Sequence, residues 1–482
     1  MLFNSLQFLV FFPVTTLLYF LLPHRFRWIL LLLSSCVFYL AFIPVYIFIL
    51  FFTIIVDYIA GMVIEPAIGR RRKLALVASI FANCGVLAFF KYYNFLGENL
   101  AGVFQLLHIH ASLPALSIIL PVGLSFHTFQ AMSYTIEVYR GRQKAIHHAG
   151  IYALYVMFYP QLVAGPIERP QNLIHQFLEK HSFDYARVVS GLRLMLWGLF
   201  KKMVIGDGLA QYVDQVYGNP SSRGGIHLLA ASLFFMFEIY CDFSGYSDIA
   251  IGAASVLGIK LMTNFNSPYA SRSIAEFWKR WHISLSTWLR DYLYNYLYIP
   301  LRGNQARRVR SHVKLLVTFL VCGLWHGPMW HYVAWGGLNG FYLLASAWTR
   351  PLRQRAVGLL GLQRYPALHH FIQVASTFAM LCVAGIFFRA GSIRQALWII
   401  KRIVTYPGPL HGFVIGSRMD FAALMTFVIL MEVVQMWQRR GDIFSQMAMK
   451  PVWVRWFVYY AAVFAILLFG HFDQRQFIYF QF

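Results

Sequence analysis

The sequence predicts an all-α polytopic integral membrane protein, on three observations. Of its 482 residues 59% are hydrophobic and only 12% are charged, where a soluble domain carries about 25% charged residues. Apolar runs near the span length of about 20 residues recur from end to end. The runs are continuous, unlike the alternating stretches of about 10 residues that build a membrane barrel.

The runs fall at 6–22, 28–43, 45–64, 74–90, 113–138, 150–167, 188–210, 226–257, 313–326, 329–348, 368–388, 421–437 and 453–471. By length they predict about 11–13 membrane helices. The run Leu6 to Leu22 has no basic stretch before it and no small-residue cleavage site after it. It reads as a retained helix. Arg25 and Arg27 follow it, which predicts a cytoplasmic end there and an outer N-terminus. No internal repeat is visible, which disfavours a transporter of duplicated halves. The expected organisation is one integral domain over 1–482, with N-terminal helices in 1–112, a catalytic core in 113–350 and C-terminal helices in 351–482.

The formal net charge is +23, from 41 Lys plus Arg against 18 Asp plus Glu. The positives cluster in short links, such as Arg70 to Lys73, Arg302 to Lys314 and Arg350 to Arg355. The positive-inside rule accounts for them without a nucleic-acid partner. The five cysteines lie in or beside apolar runs with no metal-ligand spacing, and read as packing residues.

Pro and Gly interrupt several runs: Leu120-Pro121-Val122-Gly123, Tyr159-Pro160, Ala164-Gly165-Pro166 and Gly327-Pro328. Irregular backbone at membrane depth survives only where it is buried in protein or lines a cavity. Simple kinking is the competing account for any single break. The segment Ile274 to Tyr292 reads differently. Its apolar residues recur at helical spacing, with Glu276, Lys279, Arg280, Arg290 and Asp291 opposite. The pattern predicts one amphipathic interfacial or reentrant helix, with His282 on its flank and a Glu276–Arg280 pair at i,i+4.

Two histidines are candidates for chemistry. His326 lies inside an apolar stretch, in Leu324-Trp325-His326-Gly327. Ionisable groups at membrane depth are costly and mark functional sites. A desolvated neutral imidazole suits a general base. A packing histidine bonded to a neighbouring helix fits the residue pattern too. His282 could orient His326, bind a carbonyl or cap a junction. His331 follows His326 by five residues with no acid between, so a metal is not expected. No nucleophile elbow or Walker loop occurs. Gly336-Gly337 reads as a close-packing site. Asp242 and Asp248 read mainly as helix anchors.

These blocks together resemble the membrane-bound O-acyltransferases (MBOAT), in the bacterial alginate O-acetyltransferase (AlgI-like) branch. The resemblance runs over most of the chain. It is densest in Asn264 to Tyr294, which contains Glu276-Phe277-Trp278-Lys279-Arg280-Trp281-His282-Ile283-Ser284-Leu285-Ser286-Thr287-Trp288, and in Gly323 to Trp335. It implies a helical fold around a central funnel or tunnel, with reentrant helices, in the bacterial cytoplasmic membrane. It implies acyl transfer from a thioester to a hydroxyl, with His326 and His282 as the active-site histidines. No cofactor is bound permanently, and acetyl-CoA is the implied donor. Lys279, Arg280, Arg290 and Arg302 are expected as a basic rim for its phosphates. Trp281, Trp325, Trp335 and Asn339 are expected to line the tunnel. The implied partners are membrane lipid, an extracytoplasmic SGNH-type acetyltransferase and an exported polysaccharide. Transfer of another acyl group, such as D-alanine from a carrier protein to a cell-wall polymer, is the alternative; a transporter is the third reading.

Three departures stand out. Asn295 to Tyr298 lengthens the link before Ile299-Pro300, Asn339 stands where many relatives carry histidine, and His127 stands where an aromatic is common. None touches His282 or His326.

Overall fold

The computed structural model describes residues 1–109, 114–117, 119–300, 306–409, 417–439, 441, 443–472 and 475–478. Helices account for the regular structure, and no strand occurs among the described residues. Among the described residues six helices are both long and apolar enough to cross a bilayer: 44–64, 69–106, 225–256, 366–389, 418–438 and 452–469. The other apolar runs fold as helices that are shorter or less apolar, and proline accounts for two of the short ones. After Pro121 the run 113–138 becomes helical only at Leu124–Tyr139. The run 150–167 stops as Ala149–Met157, and Pro160 sits in the first turn of the next piece, Tyr159–Leu162. Both pieces are almost wholly buried. They are interior helices, and Leu124–Tyr139 buries polar side chains such as Gln130, Ser133 and Thr135 among its apolar ones.

The chain forms two compact units. The first comprises 1–196 and 246–262. Its core holds polar side chains that satisfy one another. Asp57 accepts from Ser79 Oγ at 2.6 Å and from Asn83 Nδ2 at 2.9 Å. Ser79 also bonds Thr135 at 3.0 Å. All four side chains are buried, and a buried polar group without such partners costs on the order of 2–7 kcal/mol. The bonds tie together the helices Ile47–Ile64, Gly69–Leu87 and Leu124–Tyr139.

The second unit comprises 197–245 and the described residues of 263–478. It is organised around a hairpin of Ala306–His326 and Trp330–Trp348. Two glycines let the backbones touch. A Cβ on Gly336 would lie 2.2 Å from the Phe319 carbonyl oxygen, and one on Gly323 would lie 2.2 Å from that of Tyr332. Close-packing glycines are how membrane helices associate without a hydrophobic drive between them. Gly336 thus plays the part its sequence predicts. The buried ion cluster of this unit joins Lys202 to Asp207 at 2.7 Å and to Asp242. Asp242 also accepts the Ile478 N–H at 2.8 Å, so it anchors the chain near its end. All five cysteines are free thiols.

Gly336→Ala is expected to lower stability by at least about 1–3 kcal/mol, because the clashing atom is backbone and cannot step aside. Gly358→Ala, whose Cβ meets nothing within 4 Å, is the control. It should be neutral or gain about 0.5–1 kcal/mol. Thermal unfolding of the two variants in one detergent separates close packing from helix propensity.

Candidate active site

The segment 274–292 does not form the single amphipathic helix its spacing predicts. Ile274–Phe277 is one turn, capped by Ser273 Oγ accepting from the Glu276 N–H at 3.2 Å. The chain breaks at 278–282, restarts as Ile283–Trp288 and widens into a π-helix over Leu289–Tyr294. The break is at His282, whose φ of +44° and ψ of +54° are left-handed. No right-handed helix passes through such a residue.

Asn264 holds that turn. Its backbone oxygen accepts the Ile283 N–H at 2.9 Å. Its Oδ1 accepts from Ser284 N–H at 3.3 Å and from Ser284 Oγ at 2.9 Å. His282 Nδ1 lies 3.1 Å from the same Oδ1. An amide oxygen only accepts, so Nδ1 carries the ring proton and Nε2 keeps its lone pair. His282 is fully buried rather than on a flank. It lies outside the six candidate spans, and burial pushes its pKa down to about 3. The imidazole is therefore neutral near pH 7, as proton acceptance requires.

His326 is the last residue of its helix and is 3% exposed. Aromatic rings box it in: Trp325 at 5.0 Å, Trp335 at 5.0 Å and 88°, and Phe388 at 5.3 Å and 74°. The Trp325 ring also lies 6.1 Å from that of His282. One indole thus touches both imidazoles, and Phe243 packs edge-on to His282 at 4.6 Å. Such a box excludes bulk water and encloses both imidazoles.

The remaining sequence-predicted residues divide. Trp335 joins the box, and Asn339 lies one turn away, buried, donating from Nδ2 to the Trp335 carbonyl at 2.9 Å. Trp281 packs instead among Phe265 at 5.1 Å, Phe277 at 5.4 Å and Tyr269 at 6.0 Å. Lys279 is exposed. Arg280 pairs with Glu276 at 2.8 Å, as the i,i+4 spacing predicts. Arg290 is exposed and pairs with Asp291 at 2.9 Å. Arg302 lies outside the described residues. His331 turns to the Phe387 carbonyl at 3.0 Å. Among the described residues no three side chains cluster to hold a metal.

Against known proteins, residues 140–388 match the model of the MBOAT, membrane-bound O-acyltransferase family. The probable alginate O-acetylase AlgI of Pseudomonas aeruginosa is 38% identical over 410 residues, covering 82% of this chain and 73% of its own. The chain belongs to the membrane-bound O-acyltransferase family. It is therefore an O-acyltransferase and a multi-pass membrane protein. The peptidoglycan O-acetyltransferase of Helicobacter pylori is 32% identical over 441 residues, 85% of this chain and 80% of that one. The teichoic acid D-alanyltransferase of Streptococcus thermophilus is 31% identical over 239 residues, 48% of this chain and 57% of that one. The family match contains both histidines, Asn264 and every ring of the box.

Sequence reasoning missed Asn264, Ser284, Phe243, Phe388 and Phe477. Asn264 stands 18 residues from the ring it orients, beyond any helical period. Phe477, 1% exposed, backs Phe243 at 5.4 Å from near the chain end. The one usable signal was a polar Asn264 in the block that carries the resemblance.

Asn264→Leu removes the acceptor that fixes the His282 proton. By analogy with other wrong-tautomer histidines, transfer is expected to fall by about tenfold or more, up to about 10⁴-fold. Asn264→Asp keeps an acceptor and adds negative charge, which raises the His282 pKa. A neutral base is then reached only at higher pH, so the acid limb of the rate–pH profile should move upward. An unmoved limb in a well-folded variant would leave Asn264 with a merely structural role.

Proposed function

We propose that this enzyme moves an acetyl group from a cytoplasmic thioester, acetyl-CoA, through the membrane for O-acetylation of an exported polysaccharide such as alginate. The observation that carries the reading is the pair of buried imidazoles on the Trp325 indole, with Nε2 of His282 left basic by Asn264. Two O-acetylating relatives align over more than four-fifths of this chain, whereas the D-alanyltransferase aligns over about half. D-Alanyl transfer is therefore the second reading.

The chemistry follows from the site. A hydroxyl oxygen attacks the thioester carbonyl, and its proton passes to Nε2 of His326. The new C–O bond forms, the C–S bond breaks, and the proton returns to the leaving thiolate. His282 orients the carbonyl or shares the proton across the Trp325 edge. The aromatic walls, with Asn339 one turn beyond Trp335, form the tunnel lining and keep water from hydrolysing the thioester. Lys279 meets the donor phosphates at the cytoplasmic mouth, and Arg280, Arg290 and Arg302 complete its rim while Glu276 and Asp291 orient two of them. The acetyl group is then taken up by an extracytoplasmic SGNH-type partner that decorates the polymer.

In liposomes with labelled acetyl-CoA and candidate acceptors, His326→Ala should insert normally and lose about 10²–10⁴-fold in transfer. Wild-type rates from a well-inserted variant would overturn the assignment. Lys279→Glu should raise the apparent KM for the donor about three- to tenfold with little change in kcat, the scale of an exposed charge contact. An unchanged KM would remove Lys279 from the donor site.

A further inference from the structure

Away from both histidines, the second unit holds a cavity of about 370 Å³. Its apolar wall is built from Phe234, Phe421, Phe427 and Leu468. Two of its walls belong to the helices Arg418–Gln438 and Val452–Phe469. Only 11% and 6% of their most apolar windows are buried, so these helices face lipid and the cavity is reached from the bilayer. Gly208 keeps it open: a Cβ there would stand 3.0 Å from Leu424 Cδ1 and 3.7 Å from His471 Nε2.

The polar groups gather at one end. Asp420 lies in the first turn of its helix, and Gln211 Nε2 lies 3.2 Å from His471 Nδ1 just past the end of the other. From Asp420 to Phe427 the wall descends about 10 Å, most of the roughly 15 Å of one leaflet's hydrocarbon. The opposite helix ends carry Arg439 and Lys450, which the positive-inside rule places in the cytoplasm. The cavity then opens in the outer leaflet. Charges of both signs lie near that end. Asp420 is in the lining and exposed, with Arg418 two residues before it. Asp214, one turn along its helix from the lining Gln211, pairs with Arg389 at 2.7 Å and Arg475 at 3.0 Å.

We propose that this cavity seats one outer-leaflet zwitterionic phospholipid with a primary-amine headgroup. One acyl chain lies along Phe421, Phe427 and Leu468, the ammonium meets Asp420, and the phosphate meets Arg475 and Arg418. The site is independent of the acyl-transfer reading, since it shares no residue with the histidine box.

The test uses the full-length protein in proteoliposomes containing phosphatidylethanolamine with a diazirine in mid-chain, and maps adducts by mass spectrometry. Adducts should concentrate on 421–427 and 468–471, above those on the outward Trp453, which is 74% exposed. Gly208→Leu, which fills the floor, should cut the cavity adducts by about tenfold, equivalent to about 1.4 kcal/mol, and leave the Trp453 adducts unchanged. Asp420→Lys leaves the cavity intact, and should reverse the preference from phosphatidylethanolamine to phosphatidylglycerol in mixed bilayers. Adducts no denser than at Trp453, or a headgroup preference unmoved by Asp420→Lys, would overturn the proposal even if Gly208→Leu failed to fold.

Discussion

The contact on which the site depends is the bond between His282 Nδ1 and Asn264 Oδ1. An imidazole buried at this depth has to be neutral, but neutrality alone leaves two tautomers. The amide oxygen, already taking two bonds from Ser284, selects one of them. It also holds the backbone in a conformation that ends one helical turn and begins the next. A single asparagine therefore sets the proton, the ring direction and the path of the chain. Around the two imidazoles the walls are aromatic rings, which exclude water.

The same economy governs the polar groups elsewhere. Asp57 is satisfied by Ser79 and Asn83 from a neighbouring helix, and Lys202 by Asp207 and Asp242. In hydrocarbon such bonds have no competition from water, so each buried acid or amine specifies which helices must meet. These ties sit in helices too apolar to register by side-chain pattern. Helices of this kind could slide past one another with little change in buried surface. Polar ties fix their register, and the glycine contacts of the hairpin fix its spacing.

The fold class was legible because it depends on quantities that sum along the chain: apolar length, charge density and the placement of basic links. The two histidines stood out as candidates because His326 is a titratable group in an apolar run, and because the blocks around both resemble a known family. What was not legible depended on a single backbone angle. The 274–292 segment carries a faithful helical period, yet one residue at positive φ divides it. Hydrophobic periodicity reports which side chains go inward, not whether the axis is continuous. The same limit hid Asn264, Phe388 and Phe477. Each reaches the site across a fold that brings distant sequence together. At the proposed basic rim, Arg280 and Arg290 each hold a carboxylate of their own segment, a pairing that a count of cations does not reveal.

The left-handed backbone at His282 bears on how substitutions there must be interpreted. A residue with a β-carbon pays about 1–2 kcal/mol to adopt that conformation, and here the ring's own bond to Asn264 offsets the cost. Alanine keeps the β-carbon and loses the bond, so its phenotype mixes absent chemistry with a turn under strain. Glycine tolerates the angle without the ring. Asparagine tolerates it better than most residues and offers Asn264 a donor in place of the imidazole N–H. The difference between asparagine and alanine at this one position measures how much of the histidine's importance is architectural. What asparagine cannot restore belongs to the proton.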